Sequence, residues 1–219
     1  MIKQLLIKSV VVSFLIGISV AYSNSNVYSA DQQNIAEANK ESQIAYSELS
    51  KGKTDEAIAS FNKAISLNDK SYHAYAGLGN AYAQKGEIDE AIVSFNKAIS
   101  LDDKSSPAYV GLGNAHIQKE GEIDEAIVSF NKAISLDDKS SPAYAGLGNA
   151  YAQKGKTDEA IAYFNKAISL NDKNIYAHYI LGETYLSLEK KDLALEQYNI
   201  LKDLNKDLAK QLYEQIQFK

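Results

Sequence analysis

The stretch IDEAIVSFNKAISLDDKSSPAY runs from Ile88 to Tyr109 and again, letter for letter, from Ile123 to Tyr144. Weaker copies flank both. Aligned on the motif DEAI..FNKAISL, the chain divides into five units at 38–71, 72–105, 106–140, 141–174 and 175–208. Each unit is 34 residues long except the third, which has one extra residue, Glu120. A fixed period of this length marks an architecture in which each unit contacts only its neighbours.

The pattern inside each unit is helical. Tyr75, Leu78, Gly79 and Tyr82 lie at i, i+3, i+4 and i+7, on one face of a first helix, A. Gly86 is placed as its left-handed cap. Ala91, Ile92, Phe95, Ala98 and Ile99 then form the stripe of a second helix, B, with Asp89 and Glu90 in the first turn, where the helix dipole favours negative charge. Ser106-Pro107 and Ser141-Pro142 read as a capping serine followed by a first-turn proline. Only 2 prolines occur in the whole chain, so the helices run uninterrupted. Neither stripe can be buried alone, and the units must stack into an all-α solenoid of five antiparallel helix pairs. A capping helix over 209–219 is expected to close the open end, with Asp207 as its cap and Leu208, Leu212 and Ile216 along its apolar side.

These positions resemble the tetratricopeptide repeat family, whose pattern is a bulky aromatic, Leu-Gly, a Tyr, a small Ala, an aromatic, a second Ala and a closing Pro. The second unit supplies Tyr75, Leu78, Gly79, Tyr82, Ala91, Phe95 and Ala98; the fourth supplies Tyr144, Leu147, Gly148, Tyr151, Ala160, Phe164 and Ala167. The third matches with Tyr109, Leu112, Gly113, Ala126, Phe130 and Ala133, but has His116 for the Tyr. The end units depart further. In the first, Ala57, Phe61 and Ala64 fit, while Glu41, Ile44, Ala45 and Glu48 make a weak helix A. In the fifth, Leu181, Gly182, Tyr185, Ala194 and Tyr198 fit, while His178 and Leu201 depart from the pattern. Asp69, Asp103, Asp138, Asp172 and Lys206 replace the closing Pro, which predicts looser turns between units. The resemblance implies a right-handed superhelix whose helices A line a concave groove.

Residues 1–23 read as a secretory signal peptide: Lys3 and Lys8 precede an apolar run from Val10 to Val20, and Ala21 and Ser23 suit cleavage. The run is shorter than the ~20 residues of a bilayer-spanning helix. The reading is therefore export to the periplasm or the exterior, with no stable membrane anchor after cleavage. Residues 24–37 are expected to form a flexible leader and the start of the first helix, with Asn24 to Gln33 as its flexible part. Loss of Lys3 and Lys8 would take the formal charge from -5 to -7.

Composition narrows the partner. All 23 basic residues are Lys, and a net acidic chain without Arg is a poor reader of nucleic acid. With no Cys, thiolate metal sites and a cysteine nucleophile are excluded. His73, His116 and His178 occupy different places in their units and do not converge as metal ligands. Asp102-Asp103 and Asp137-Asp138 read as solvated turn residues. No catalytic residue and no cofactor is expected. Gly-Leu-Gly, at 77–79, 111–113 and 146–148, falls within helix A and not between a strand and a helix, so it is no phosphate loop. Gly79, Gly113 and Gly148 are read as packing notches, and Gly77, Gly111 and Gly146 are left without a role.

From the family's habit of binding on helix A, the groove is assigned to Asn80, Gln84, Asn114, Gln118, Asn149 and Gln153, whose amides both donate and accept, extended by His73, Tyr179 and Glu183. The partner is then a protein or peptide segment docked by a non-enzymatic scaffold. The alternative is self-assembly of near-identical units into homo-oligomers.

Overall fold

Helices follow one another through the whole of the described chain, which in the computed structural model is residues 31–218. The signal segment and the leader up to residue 30 lie outside the described residues. Helix α1 covers 31–50, so residues 31–33, expected in the flexible leader, are already helical. Then come α2 (Thr54–Leu67), α3 (Tyr72–Lys85), α4 (Ile88–Leu101), α5 (Ser106–Gln118) and α6 (Ile123–Leu136). They are followed by α7 (Ser141–Gln153), α8 (Thr157–Leu170), α9 (Ile175–Ser187), α10 (Lys191–Leu204) and α11 (Lys206–Phe218). No strand occurs among the described residues. Each helix from α2 to α11 packs on the next, and α3, α5, α7 and α9 also touch one another in sequence. The A helices therefore form one layer and the B helices the other. This is an α-solenoid.

The core is a file of phenylalanines. Phe61, Phe95, Phe130 and Phe164, one from each helix B of the first four units, are fully buried. Their setting explains both glycines of Gly-Leu-Gly. A Cβ at Gly79 would stand 2.9 Å from Phe95, and one at Gly111, in the next unit, would press on the same ring more closely still. Gly113 and Gly146 hold Phe130 in the same way. The second glycine of each motif thus admits the ring of its own unit, and the first admits the ring of the unit before. Two helical glycines cost ~2 kcal/mol relative to alanine. Full burial of one phenylalanine offsets this with about 1.5–3 kcal/mol.

The turns are tighter than the missing prolines predict. Asn68, Asp102, Asp137, Asn171 and Asn205 each end a helix B, and each side chain accepts a hydrogen bond from the backbone N–H two residues on, at 3.0–3.2 Å. An Asx turn does here what proline does in the family pattern. Within units, the left-handed residue after helix A is Gly86 (φ 85°) in the second and Gly121 (φ 83°) in the third. Glu120 is absorbed in that third turn. Lys119 still pairs with Glu122 and with Asp89 of the preceding unit, just as Lys85 pairs with Glu87 and Asp55. Lys119 first, then His116 at 2.6 Å, hold the Glu122 carboxyl below the usual carboxylate range.

Two capping expectations are corrected. Ser106 and Ser141 lie inside their helices and do not cap them. Their buried hydroxyls donate to the carbonyls of Ala133 and Ala167, at the end of helix B of the same unit. Those carbonyls lie in the last turn, where intrahelical donors run out, and each also takes the N–H of the cap residue, Asp137 or Asn171. At α11 the cap is Asn205, whose Oδ1 accepts from Asp207 and Leu208. The helix therefore starts at Lys206, and buries Ala209, Leu212 and Ile216 while Leu208 is only half-buried.

Candidate functional site

The stacked A helices place the amides of the sequence reading along one surface. Asn80, Gln84, Asn114, Gln118 and Gln153 are exposed, and Asn149 is half-buried. They do not behave as one uniform ladder. Asn114 and Gln118 of α5 line an open pocket of about 600 Å³, together with Pro142 and Ala145 of α7 and Tyr176 of α9. Ile117 forms part of its wall, and Asn171 and Asn174 of the turn before α9 add further amides. Asn174 also builds the local structure: its Oδ1 caps α9 at Ala177, and its Nδ2 donates to Ser141.

Asn149 is already engaged, since its Nδ2 donates to the Tyr176 hydroxyl at 2.6 Å. That leaves the phenol proton of Tyr176 free to donate toward the pocket. Burial, with a smaller push from the Glu183 charge and against the Asn149 hydrogen bond, raises this hydroxyl to about 12. The residue as a whole remains 42% exposed. The group stays a protonated donor across the neutral range.

The remaining predicted residues sit apart from the pocket. Tyr179 and Glu183 are reached by Gln215 of α11, whose Nε2 donates to the Tyr179 hydroxyl at 3.3 Å and to the Glu183 carboxylate at 2.8 Å. The last helix thus leans over that end of the groove. His73 is exposed at the other end. Its ring lies against Tyr72 with centroids 3.9 Å apart, and its backbone carbonyl accepts from the Tyr46 hydroxyl at 3.1 Å. Tyr176 was missed by the sequence reading, yet it occupies in the fifth unit the register that His73 holds in the second and Pro142 in the fourth.

The three histidines do not converge. His178 is buried, with Nδ1 2.7 Å from the Gln197 amide oxygen and Nε2 3.0 Å from the Asp172 carbonyl. No group of three metal-ligating side chains occurs among the described residues. No helix among them is long and apolar enough to cross a membrane.

A stack of paired helices that displays an amide-lined pocket on its inner layer defines a repeat scaffold of the protein-binding kind. Family profiles agree: one described as tetratricopeptide repeat matches residues 141–174, and one described as TPR repeat matches 45–86, 79–119 and 118–155. The chain belongs to the tetratricopeptide repeat family. Among solved structures it resembles TTC0263, a thermophilic TPR protein of Thermus thermophilus, with a TM-score of 0.76 and 21% identity over 82% of this chain and 98% of that one. It resembles MamA at TM-score 0.57 and 29% identity, over 76% and 97% of the two chains. It also resembles YrrB, described as a TPR protein with an unusual peptide-binding site, at TM-score 0.55 and 26% identity, over 85% and 97%. No curated protein matches the chain.

Proposed function

We infer that this protein is an exported scaffold that holds an extended peptide segment of a partner protein against α5, α7 and α9. The observation that carries this is the pocket between those helices, in which amides from Asn114, Gln118 and Asn171 stand beside the apolar side chains of Ile117, Pro142 and Ala145. Amides pair with the backbone of an extended segment whatever its sequence, while the apolar residues accept a small apolar side chain. Tyr176 donates one further hydrogen bond. The peptide-binding site of YrrB supports the reading by likeness. Asn80 and Gln84 continue the same surface and lengthen the segment it holds.

The test is a triple change of Asn80, Asn114 and Asn149 to Ala in the full chain, with peptides selected from a displayed library as the probe. Peptide binding is lost while helicity by circular dichroism is kept. Undiminished binding overturns the groove assignment. Export is tested separately by the N-terminus of the mature protein, which begins after Ala21 or Ser23.

Self-assembly has one observation in its favour. The ends of the stack expose apolar side chains, Ile35 and Ile44 on α1 and Tyr213 and Phe218 on α11, the last 90% exposed. A mass by light scattering that rises with concentration and falls back on Phe218→Ser would establish it.

A further inference from the structure

Away from the groove, helices α3 and α4 of the second unit border an open notch of about 540 Å³. Its walls are Tyr75, Leu78 and Tyr82 on α3 and Val93 on α4, and its floor is Ser94. Ser94 is buried and its hydroxyl is spent on the Glu90 carbonyl at 2.8 Å, so the floor offers no polar group to a ligand. Val93 is 69% exposed on the lip, as is its counterpart Val128 in the third unit.

The fourth unit shows what fits such a notch. There the residue in the register of Ser94 is Tyr163. Its ring packs against Tyr151, with centroids 5.2 Å apart. Its hydroxyl pKa is raised by burial first and then by the neighbouring Tyr151 and Tyr144, which are the counterparts of Tyr82 and Tyr75. The leucine beneath responds: Leu147 is 1% exposed where Leu78 is 6% exposed. The chain thus fills the fourth notch with its own phenol ring and leaves the second empty.

The rim supplies the charge preference. Asp89 is taken by Lys119 at 3.0 Å, and Lys97 stands over the Tyr75 ring, 5.8 Å from its centroid. Glu90 is exposed beside the opening and answers a cation. We propose that the notch of the second unit is a docking site for an aromatic side chain of a partner protein, a tyrosine or phenylalanine next to a lysine or arginine, inserted as Tyr163 is inserted in the fourth unit. This surface is distinct from the amide-lined groove, so a scaffold could engage two segments at once.

The test uses the full chain with labelled methyl groups and N-acetyl-Lys-Tyr-amide as probe, read by NMR. Saturable shifts at Leu78 and Val93 are expected, with weaker binding of N-acetyl-Glu-Tyr-amide. Ser94→Tyr closes the notch and abolishes the shifts. Tyr163→Ser opens the fourth notch and creates new shifts at Leu147. Should Ser94→Tyr fail to fold, Val93→Ser, on the exposed lip, gives the same loss of binding without touching the interior. The proposal is overturned if the probe shifts neither Leu78 nor Val93, if shifts persist unchanged in Ser94→Tyr, or if Tyr163→Ser opens nothing. Shifts at these methyls that grow with protein concentration alone would assign the notch to a second copy of this chain and overturn the partner. Equal binding of the two dipeptides would overturn the role of Glu90.

Discussion

The middle of the stack and its C-terminal end solve the same packing problem differently. In the middle, Phe95 and Phe130 each sit between two glycines, one from their own unit and one from the next. At the end, the fifth unit has Tyr198 in the phenylalanine register, half-buried and stacked on Tyr213 of α11 with centroids 4.9 Å apart. Gly182 there faces Leu212 of the last helix and not an aromatic ring. The fifth unit also has Ile180 where the second, third and fourth have the first glycine, and this side chain packs against the cluster that holds Phe164. A clamp with two glycines fixes the spacing between units. A terminal unit has no next unit to fix, and its aromatic residue is free to become a lid contact.

The largest effect separating the two regions is expected from the rings themselves. Phe95→Ala opens a cavity between two units and should cost about 3–5 kcal/mol in urea denaturation. Tyr198→Ala, half-exposed to begin with, should cost clearly less. A similar loss at both sites would dissolve the distinction. Next come the glycines. Gly111→Ala drives a methyl into the Phe95 ring and should cost about 1–3 kcal/mol as overpacking. Gly79→Ala meets the same ring at 2.9 Å, and the gain in helix propensity of ~1 kcal/mol offsets much of its strain. Equal costs for the two substitutions would mean that the clamp is symmetric.

The smallest effect lies in the turn of the fifth unit. Where the second to fourth units use Gly86, Gly121 and Gly155 at positive φ, the fifth has Glu189 at φ 59°. Glu189→Gly should raise stability by up to about 1 kcal/mol, since glycine adopts the left-handed region without a Cβ clash. A melting temperature unchanged or lowered by Glu189→Gly would show that Glu189 is compensated by contacts of its own.

Much of this arrangement was legible from the sequence. The period and the two stripes per unit follow from helical spacing, because a helix in a solenoid must bury one face against each neighbour. The first glycine of Gly-Leu-Gly was opaque for a physical reason. It contacts Phe95 or Phe130 of the unit before, and no spacing within its own helix reveals a ring arriving from another. Ser106 and Ser141 were misread for the same reason, since they bond to carbonyls 27 and 26 residues later in the chain.

The candidate site divides along the same line. The repeated amides could be named from the sequence, because copies of one unit place identical residues in identical registers. Which of them face open space was decided by the residues that break the repeat. Tyr176 takes Asn149 out of the free set, Gln215 occupies Tyr179 and Glu183, and Tyr163 closes in the fourth unit a notch that Ser94 leaves open in the second. The sequence by itself determined the family, the helix pairs and the direction of burial, since these depend on local periodicity that every copy repeats. Only the tertiary structure decided which surfaces are free, because that depends on a single side chain meeting a helix from another unit.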